Sequence, residues 1–330
     1  MANEFYTDMP TKQYASTLDV LSQEYSVLFQ HVWDKGKLVG AESYFNQLDA
    51  FDMTWGRARY ADTAFTEPTY GRRRVIPSVA NVAIPLDSID TVRTLVDPKS
   101  DLARQGIAAA GRAKDQLIWA AMYGAAYAGP AGGTSTAFDF TNQVVDVNED
   151  GAGGSTNVGL NIPKINAAVE KIMLNSVNPD DPMNELTLVI SPAQRSDWLN
   201  ITTLTSADYM TGRSLATGKL DGIAGIKNVV ISNMVPYCDA DPTTAVHTTA
   251  YGEVSASWLA GGISVDNDSS SHRACALFAK SALGFGTWEN TEVLVDRRAD
   301  KNNIWQLWIQ LQCGVTRLEE GKVVLIECQE

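Results

Sequence analysis

The sequence predicts an α+β fold built around one long helix, and three observations predict it. Residues 97–128 carry a helical stripe bracketed by start and stop signals. In residues 305–313, Trp305, Leu307, Ile309, Leu311 and Cys313 alternate with Gln306, Trp308, Gln310 and Gln312, as in a half-buried strand. Ahead of the helix, residues 41–86 are dense in aromatic side chains and lack helical periodicity, which reads as an extended β-hairpin.

The helix opens with Asp97-Pro98, a capping residue followed by proline at the first helical position. Leu102, Gly106, Ala109, Ala113, Leu117, Ala120 and Gly124 recur at spacings of three and four and form the expected buried stripe. Arg104, Arg112, Lys114 and Asp115 fall elsewhere, and Gly129-Pro130 ends the helix. At ~1.5 Å per residue this is a rod of roughly 45 Å. Its uncharged second half is too short for a membrane span, which needs ~20 apolar residues, and is expected to be buried in protein.

The remaining elements follow in order. Residues 1–15 are polar and read as an arm; Leu18, Leu21, Tyr25, Leu28 and Val32 then share a helical face over 16–33. In the hairpin, Tyr44, Phe45, Phe51, Trp55, Tyr60, Phe65 and Tyr70 are too many aromatics for two strands to bury by themselves. Turn chemistry at Thr66–Gly71 places the tip near Phe65–Tyr70, and Val82, Ile84 and Leu86 alternate as a strand. A pairing centred there sets Arg57 opposite Arg74 and Arg59 opposite Arg72. Like charges so placed repel, so Arg57, Arg59, Arg72, Arg73 and Arg74 call for an anionic partner. An acidic patch on a neighbouring copy, a solvated basic face and nucleic acid are the three readings of that cluster.

Past the helix, Gly129–Gly159 reads as loops with one strand at Gln143–Val147. Asn161-Ile162-Pro163 opens a second helix with Ile165, Val169, Ile172 and Met173 on one face. Leu186–Ile190 is a short apolar strand running into Ser191-Pro192-Ala193-Gln194, a capping box that starts a third helix. Asn228–Ser232 is another apolar strand, residues 237–273 are turn-rich, and Val323–Ile326 is the closing strand after a turn at Glu319–Lys322.

Composition excludes several functions. The 330 residues are 45% hydrophobic and 20% charged with a net charge of -13, globular but ill suited to general nucleic-acid binding. Cys238, Cys275, Cys313 and Cys328 form no CxxC pair and read as reduced thiols; His31, His247 and His272 have no metal-ligand spacing. The start Met1-Ala2-Asn3-Glu4 has no signal-peptide pattern, so Asn200-Ile201-Thr202 and Asn267-Asp268-Ser269 are chance glycosylation matches. Gly212–Leu220 misses the phosphate-loop spacing, and Gly151–Ser155 opens no helix as a dinucleotide loop would. No catalytic, cofactor or metal residues are singled out, and no enzymatic activity is expected.

The order of elements resembles the major capsid protein of tailed double-stranded DNA bacteriophages, the Hong Kong 97-like fold. The passages that carry the resemblance are Leu188–Pro192 with Trp198-Leu199, then Tyr209–Arg213 with Gly222–Ile226 and Val229–Ser232, and last Glu292–Arg298 with Gly314–Arg317 and Val323–Ile326. It implies an N-terminal arm at 1–40, an E-loop hairpin at 41–86, a P-domain at 87–177 carrying the spine helix 97–128, an A-domain at 178–290 and closing P-domain strands at 291–330. It further implies self-assembly into hexamers and pentamers of an icosahedral shell around packaged DNA. Candidate intersubunit contacts are Arg57, Arg59, Arg72, Arg73, Arg74, Trp55, Phe65 and Tyr70.

Two departures qualify the implied chemistry. Some family members cross-link subunits through an E-loop lysine, and no lysine lies between Lys37 and Lys99, so non-covalent holding is expected. The short arm leaves no room for a fused scaffold, which implies a separate scaffolding protein alongside the portal and a decoration protein. No cofactor and no membrane partner are expected, DNA contact is weak and non-specific, and assembly takes place in the bacterial cytoplasm before incorporation into the virion. The alternatives are an encapsulin-like nanocompartment shell and an unrelated α/β enzyme or ligand-binding protein.

Overall fold

The computed structural model describes residues 25–53, 55–56, 59–60, 62, 65–86, 99–154, 156–201, 225–238, 272–301 and 304–330. Arg57, residues 1–24, Asp97-Pro98, the Tyr209–Ala224 passages, the Gly212–Leu220 run and His247 lie outside these. The chain divides into two units: Met1–Tyr25, Val79–Arg112 and Glu289–Gln312 in one, and Ser26–Ser78, Ala113–Trp288 and Cys313–Glu330 in the other.

The long helix, α1, runs Lys99–Tyr123, shorter at its end than the sequence predicts. The Gly124 amide donates the last helical bond to the Ala120 carbonyl, and Ala126–Ala128 is already a strand. In the smaller unit, Gly106 of α1 backs directly onto the Ile309 side chain, where any Cβ would collide. In the larger unit the buried residues are Asp115, Leu117, Ile118, Trp119, Met122 and Tyr123; Leu117 lies on the predicted stripe and Ala120 of that stripe is half-buried, so the buried face is centred about one position round from it. The sequence pattern had excluded the charged Asp115 from the core face; its bonding partners, described below, hold it there.

Strands β1 (Trp33–Lys37), β2 (Ser43–Leu48), β3 (Tyr70–Val75) and β4 (Ser78–Leu86) precede α1. The predicted helix over 16–33 does not persist where the structure describes it. Only a single 3₁₀ turn forms at Phe29–His31, and Trp33 instead pairs in parallel with Gly284. Strands β5 (Ala126–Ala128), β6 (Thr134–Thr136) and β7 (Val144–Val145) follow the helix. β2, β3, β5 and β6 form one sheet in that order.

The core sheet of the larger unit has β7, β14 (Val323–Gln329), β11 (His272–Ala279), β8 (Leu186–Ile190) and β9 (Asn228–Ile231) in that order, with β10 (Tyr237–Cys238) paired to β11. Every residue of β8 and β11 is buried, as in a sheet covered on both faces, with Thr187, His272 and Arg273 as the polar members of otherwise apolar runs. Helix α2 (Ile162–Leu174) packs on it, capped by Asn161, whose side chain accepts the Lys164 amide at 2.9 Å. Ile165, Ala168, Val169 and Ile172 are its buried face; Met173, expected there, is half exposed, and Lys164 takes a buried position instead. Helix α3 (Pro192–Leu199) has Ser191 as its cap, but the second half of the predicted capping box does not form. Gln194 instead accepts from the Leu160 amide and donates to the Gln329 carbonyl, both at 2.9 Å.

The remaining long strands are β12 (Leu283–Arg298) and β13 (Ile304–Arg317), which pair with each other, while β4 lies along β13. Leu307, Ile309, Leu311 and Cys313 are buried, as the alternation predicts. Among the described residues no helix is long and apolar enough to cross a membrane.

Candidate functional site

The hairpin of β2 and β3 is rooted in a small apolar cluster of Phe45, Val75 and Leu318, with Trp33, Leu38 and Trp288 against it. Gly284 makes room for Phe45: a Cβ there would come within 2.9 Å of the ring. Beyond the root the apolar residues lose their cover. Trp55 and Phe65 are each 92% exposed and Tyr70 is 74% exposed, with Phe51, Met53 and Tyr60 also in solvent. A run of large exposed side chains on one projection is the mark of an interaction surface.

The hairpin register differs from the sequence expectation. Ser43 faces Val75 and Leu48 faces Tyr70, which centres the connection on Arg59–Tyr60, where Tyr60 adopts φ 65°. Thr66–Gly71 therefore lies on the returning limb, not at the tip. Arg74 faces Tyr44, Arg73 faces Phe45 and Arg72 faces Asn46, so the predicted arginine–arginine juxtapositions do not occur. Turn-forming residues drew the predicted tip toward Pro68-Thr69-Tyr70-Gly71, whereas cross-strand burial of Phe45 and Val75 sets the actual pairing.

The arginines separate into distinct roles. Arg73 forms an ion pair with Glu320 at 2.8 Å and donates to the Leu318 carbonyl at 3.1 Å. Arg74 lies 3.6 Å from Glu42 and over the Tyr127 ring at 4.9 Å. Arg59 sits beside the Tyr60 ring at 5.3 Å, and Arg72 is exposed while its carbonyl accepts the Gly129 amide at 3.2 Å. Arg73 and Arg74 thus find their carboxylates within the chain. Arg72 and Arg59 extend toward solvent with the aromatic residues.

Sequence reasoning missed the residues that anchor this projection. Arg317 is fully buried and closes the end of α1, where carbonyls lack intrahelical partners. It donates to the carbonyls of Met122 and Gly124, each at 2.8 Å, and to that of Thr136 at 3.2 Å, and it pairs with Glu320. Burial pulls its pKa down, and Glu320 opposes that shift. Counting by twos places Arg317 with Leu307, Ile309, Leu311 and Cys313, but the alternation slips at Gly314–Thr316, so the strand pattern alone does not mark it.

Asp115 is a second missed anchor. Its buried carboxylate accepts from Ser26 Oγ at 2.7 Å and the Val27 amide at 2.8 Å, with Leu28 at 3.4 Å. With the Val27 and Leu28 amides turned to Asp115, the described chain here forms a 3₁₀ turn at Phe29–His31 and no α-helix. A third buried group is Lys164, which donates to the carbonyls of Val158 and Glu327 at 2.7 Å each; burial lowers its pKa. The Glu327 side chain is buried too, and desolvation, with Asp146 adding to it, raises its pKa to about 7.

The glycine run Gly151–Gly154 offers nothing to a phosphate, because Asp150 already accepts from the Ala152 amide at 2.7 Å and the Gly154 amide at 3.1 Å. Those amides hold the Asp150 carboxyl below its usual range. Desolvation pushes the buried Cys313 thiol up to about 11, so it is not poised as a nucleophile.

Comparison with known families resolves what kind of protein carries such a projection. A family model described as "Phage capsid protein" matches residues 7–330. This chain belongs to the phage capsid protein family. Solved structures of phage capsids share its fold across almost its full length. The capsid of cyanophage P-SCSP1u aligns with TM-score 0.65 at 14% identity, covering 97% of this chain and 93% of that one. The capsid of Helicobacter pylori bacteriophage KHP30 aligns with TM-score 0.64 at 11% identity, covering 99% and 97%. A chain of Mycobacterium phage Che8 gives 0.63 at 13%, covering 97% and 98%. A sequence comparison with curated proteins gives no match. The fold of this capsid protein is the α+β, Hong Kong 97-like architecture that its element order resembles.

Proposed function

We propose that this capsid protein is the shell-forming major subunit, which assembles as hexamers and pentamers into a closed icosahedral shell around packaged double-stranded DNA. The observation that carries this reading is the exposed aromatic hairpin, with Trp55 and Phe65 both 92% in solvent on a limb rooted in the subunit core. A closed shell repeats one subunit many times, and a projection with large uncovered apolar side chains fits a surface that is buried only in the assembly.

In this reading residues 1–40 act as the arm, 41–86 as the E-loop, 97–128 as the region of the spine, 178–290 as the A-domain and 291–330 as closing strands. Trp55, Phe65 and Tyr70 dock on a neighbouring copy, with Arg57, Arg59 and Arg72 meeting acidic groups at the rim of the contact. Arg73 and Arg74 act from the root and orient the hairpin. The absence of lysine between Lys37 and Lys99 supports non-covalent holding. A separate scaffolding protein guides closure in the bacterial cytoplasm, the portal occupies one vertex, and a decoration protein adds outside support. The net charge of -13 supports a lining that does not trap the packaged DNA. The role is structural, without catalysis.

Electron microscopy of the purified protein, alone and with its scaffold, tests this. Capsomers, shells or tubes are expected. A species that stays monomeric under every assembly condition would overturn the reading, and small uniform shells that co-purify with a cargo enzyme would replace it with a nanocompartment.

A further inference from the structure

The hairpin root is held by more than backbone pairing. Gln47 Nε2 on β2 and Arg73 Nε on β3 both donate to the Leu318 carbonyl, at 2.9 and 3.1 Å. Two residues further on, Glu320 presents Oε1 to Arg73 Nη2 at 2.8 Å and Oε2 to Arg317 Nε. Arg317 is itself immobilised, since it is fully buried and its Nη atoms are taken by the Met122, Gly124 and Thr136 carbonyls. One carboxylate therefore joins a hairpin side chain to the guanidinium that closes the helix.

We infer that Glu320 is a positioning residue for assembly: it fixes the direction in which the hairpin leaves the subunit by tying Arg73 to Arg317. The inference rests on the shell-subunit reading above and adds to it the residue that aims the hairpin. A short antiparallel ribbon twists readily, over a wide range of angles. At ~3.4 Å per residue, ten residues of fully extended chain reach at most ~30 Å from the root, so a ~10° change at the root moves such a point by up to ~5 Å. That displacement exceeds what side-chain packing tolerates at a complementary interface. A carboxylate shared between two guanidiniums restricts this freedom: Oε2 accepts from Arg317 Nε, and Oε1 holds the Arg73 guanidinium beside it as an ion pair. The Glu320 side chain is only 25% exposed, which leaves the link close to the surface without opening the core.

The test compares the parent with Glu320→Gln and Arg73→Met by hydrogen exchange on the unassembled subunit and by electron microscopy after assembly. Both variants are expected to melt within a few degrees of the parent. Exchange should rise at least fivefold across Tyr70–Val75, and the assemblies should become mixed tubes and irregular shells where the parent forms uniform ones. Arg73→Lys, which keeps a cation facing Glu320, should restore most uniform assembly, a rescue that a mere folding defect would not give. If Glu320→Gln fails to fold, Arg73→Met carries the test, because it leaves the Arg317 closure of α1 intact. Unchanged exchange and uniform shells in whichever variant folds would overturn the inference. A parent that never assembles would overturn the shell reading instead, and the exchange result would still judge the anchor.

Discussion

Substituting Glu327 by Gln isolates one buried charge and predicts a pH-dependent gain in stability. Glu327 is 2% exposed on β14, and burial first, then Asp146, raises its pKa from 4.5 to about 7 against the opposing pull of Lys164 and the Val147 amide. A carboxyl whose folded pKa lies above its unfolded value holds its proton more tightly in the folded state. Its stabilising contribution is therefore present below about pH 4.5 and lost as pH rises through 7. A shift of ~2.5 units corresponds to ~3 kcal/mol between pH 4 and pH 8. Glutamine keeps the size and an acceptor oxygen but does not ionise. Urea unfolding of the unassembled subunit, followed by circular dichroism, should find parent and variant within ~0.5 kcal/mol of each other at pH 4, and the variant up to ~3 kcal/mol more stable at pH 8. A stability difference that is the same at both pH values would refute the assignment of Glu327 as the titrating group.

Three further outcomes follow from named contacts. Asp115→Asn places an amide donor against the donors of Ser26 and Val27; it should cost about 2 kcal/mol by thermal unfolding and speed proteolysis before Leu28. Gly106→Ala sets a Cβ into Ile309 and should cost ~1–3 kcal/mol, with Ile309→Val recovering part of the loss in a double-mutant cycle. The double variant Trp55→Ala/Phe65→Ala removes only exposed rings, so urea unfolding should change by less than ~0.5 kcal/mol. Its light scattering under assembly conditions should stay at the level of free subunits.

Much of the architecture could be read from residue patterns, and the failures have physical causes. Leu186–Ile190 was legible as a strand because it is a short run of Leu, Val and Ile broken only by the β-branched Thr187, and Ser191 as a cap because its hydroxyl reaches the start of the following helix. The alternation over 305–313 was legible because one face of β13 is buried and the other is not. The face of α1 was misplaced because a carboxylate, Asp115, occupies its centre, and hydrophobic periodicity cannot register a buried charge whose partners lie 87 to 89 positions away. The same blindness hid Glu320, an acidic residue in a surface turn whose importance depends on Arg73 far earlier in the chain. The exposed aromatics were legible as a surplus that the hairpin could not bury. The pairing register was not, since it depends on Phe45 and Val75 packing against Leu318, a contact that spans most of the sequence.

Contact between the hairpin and a neighbouring copy can be trapped by site-specific photo-cross-linking. A benzophenone amino acid at position 65 would be irradiated in the assembled particle and the products mapped by mass spectrometry. Covalent dimers joining position 65 of one copy to another copy are expected, with unassembled subunit giving none. Cross-links confined within single chains in an intact shell would contradict this contact.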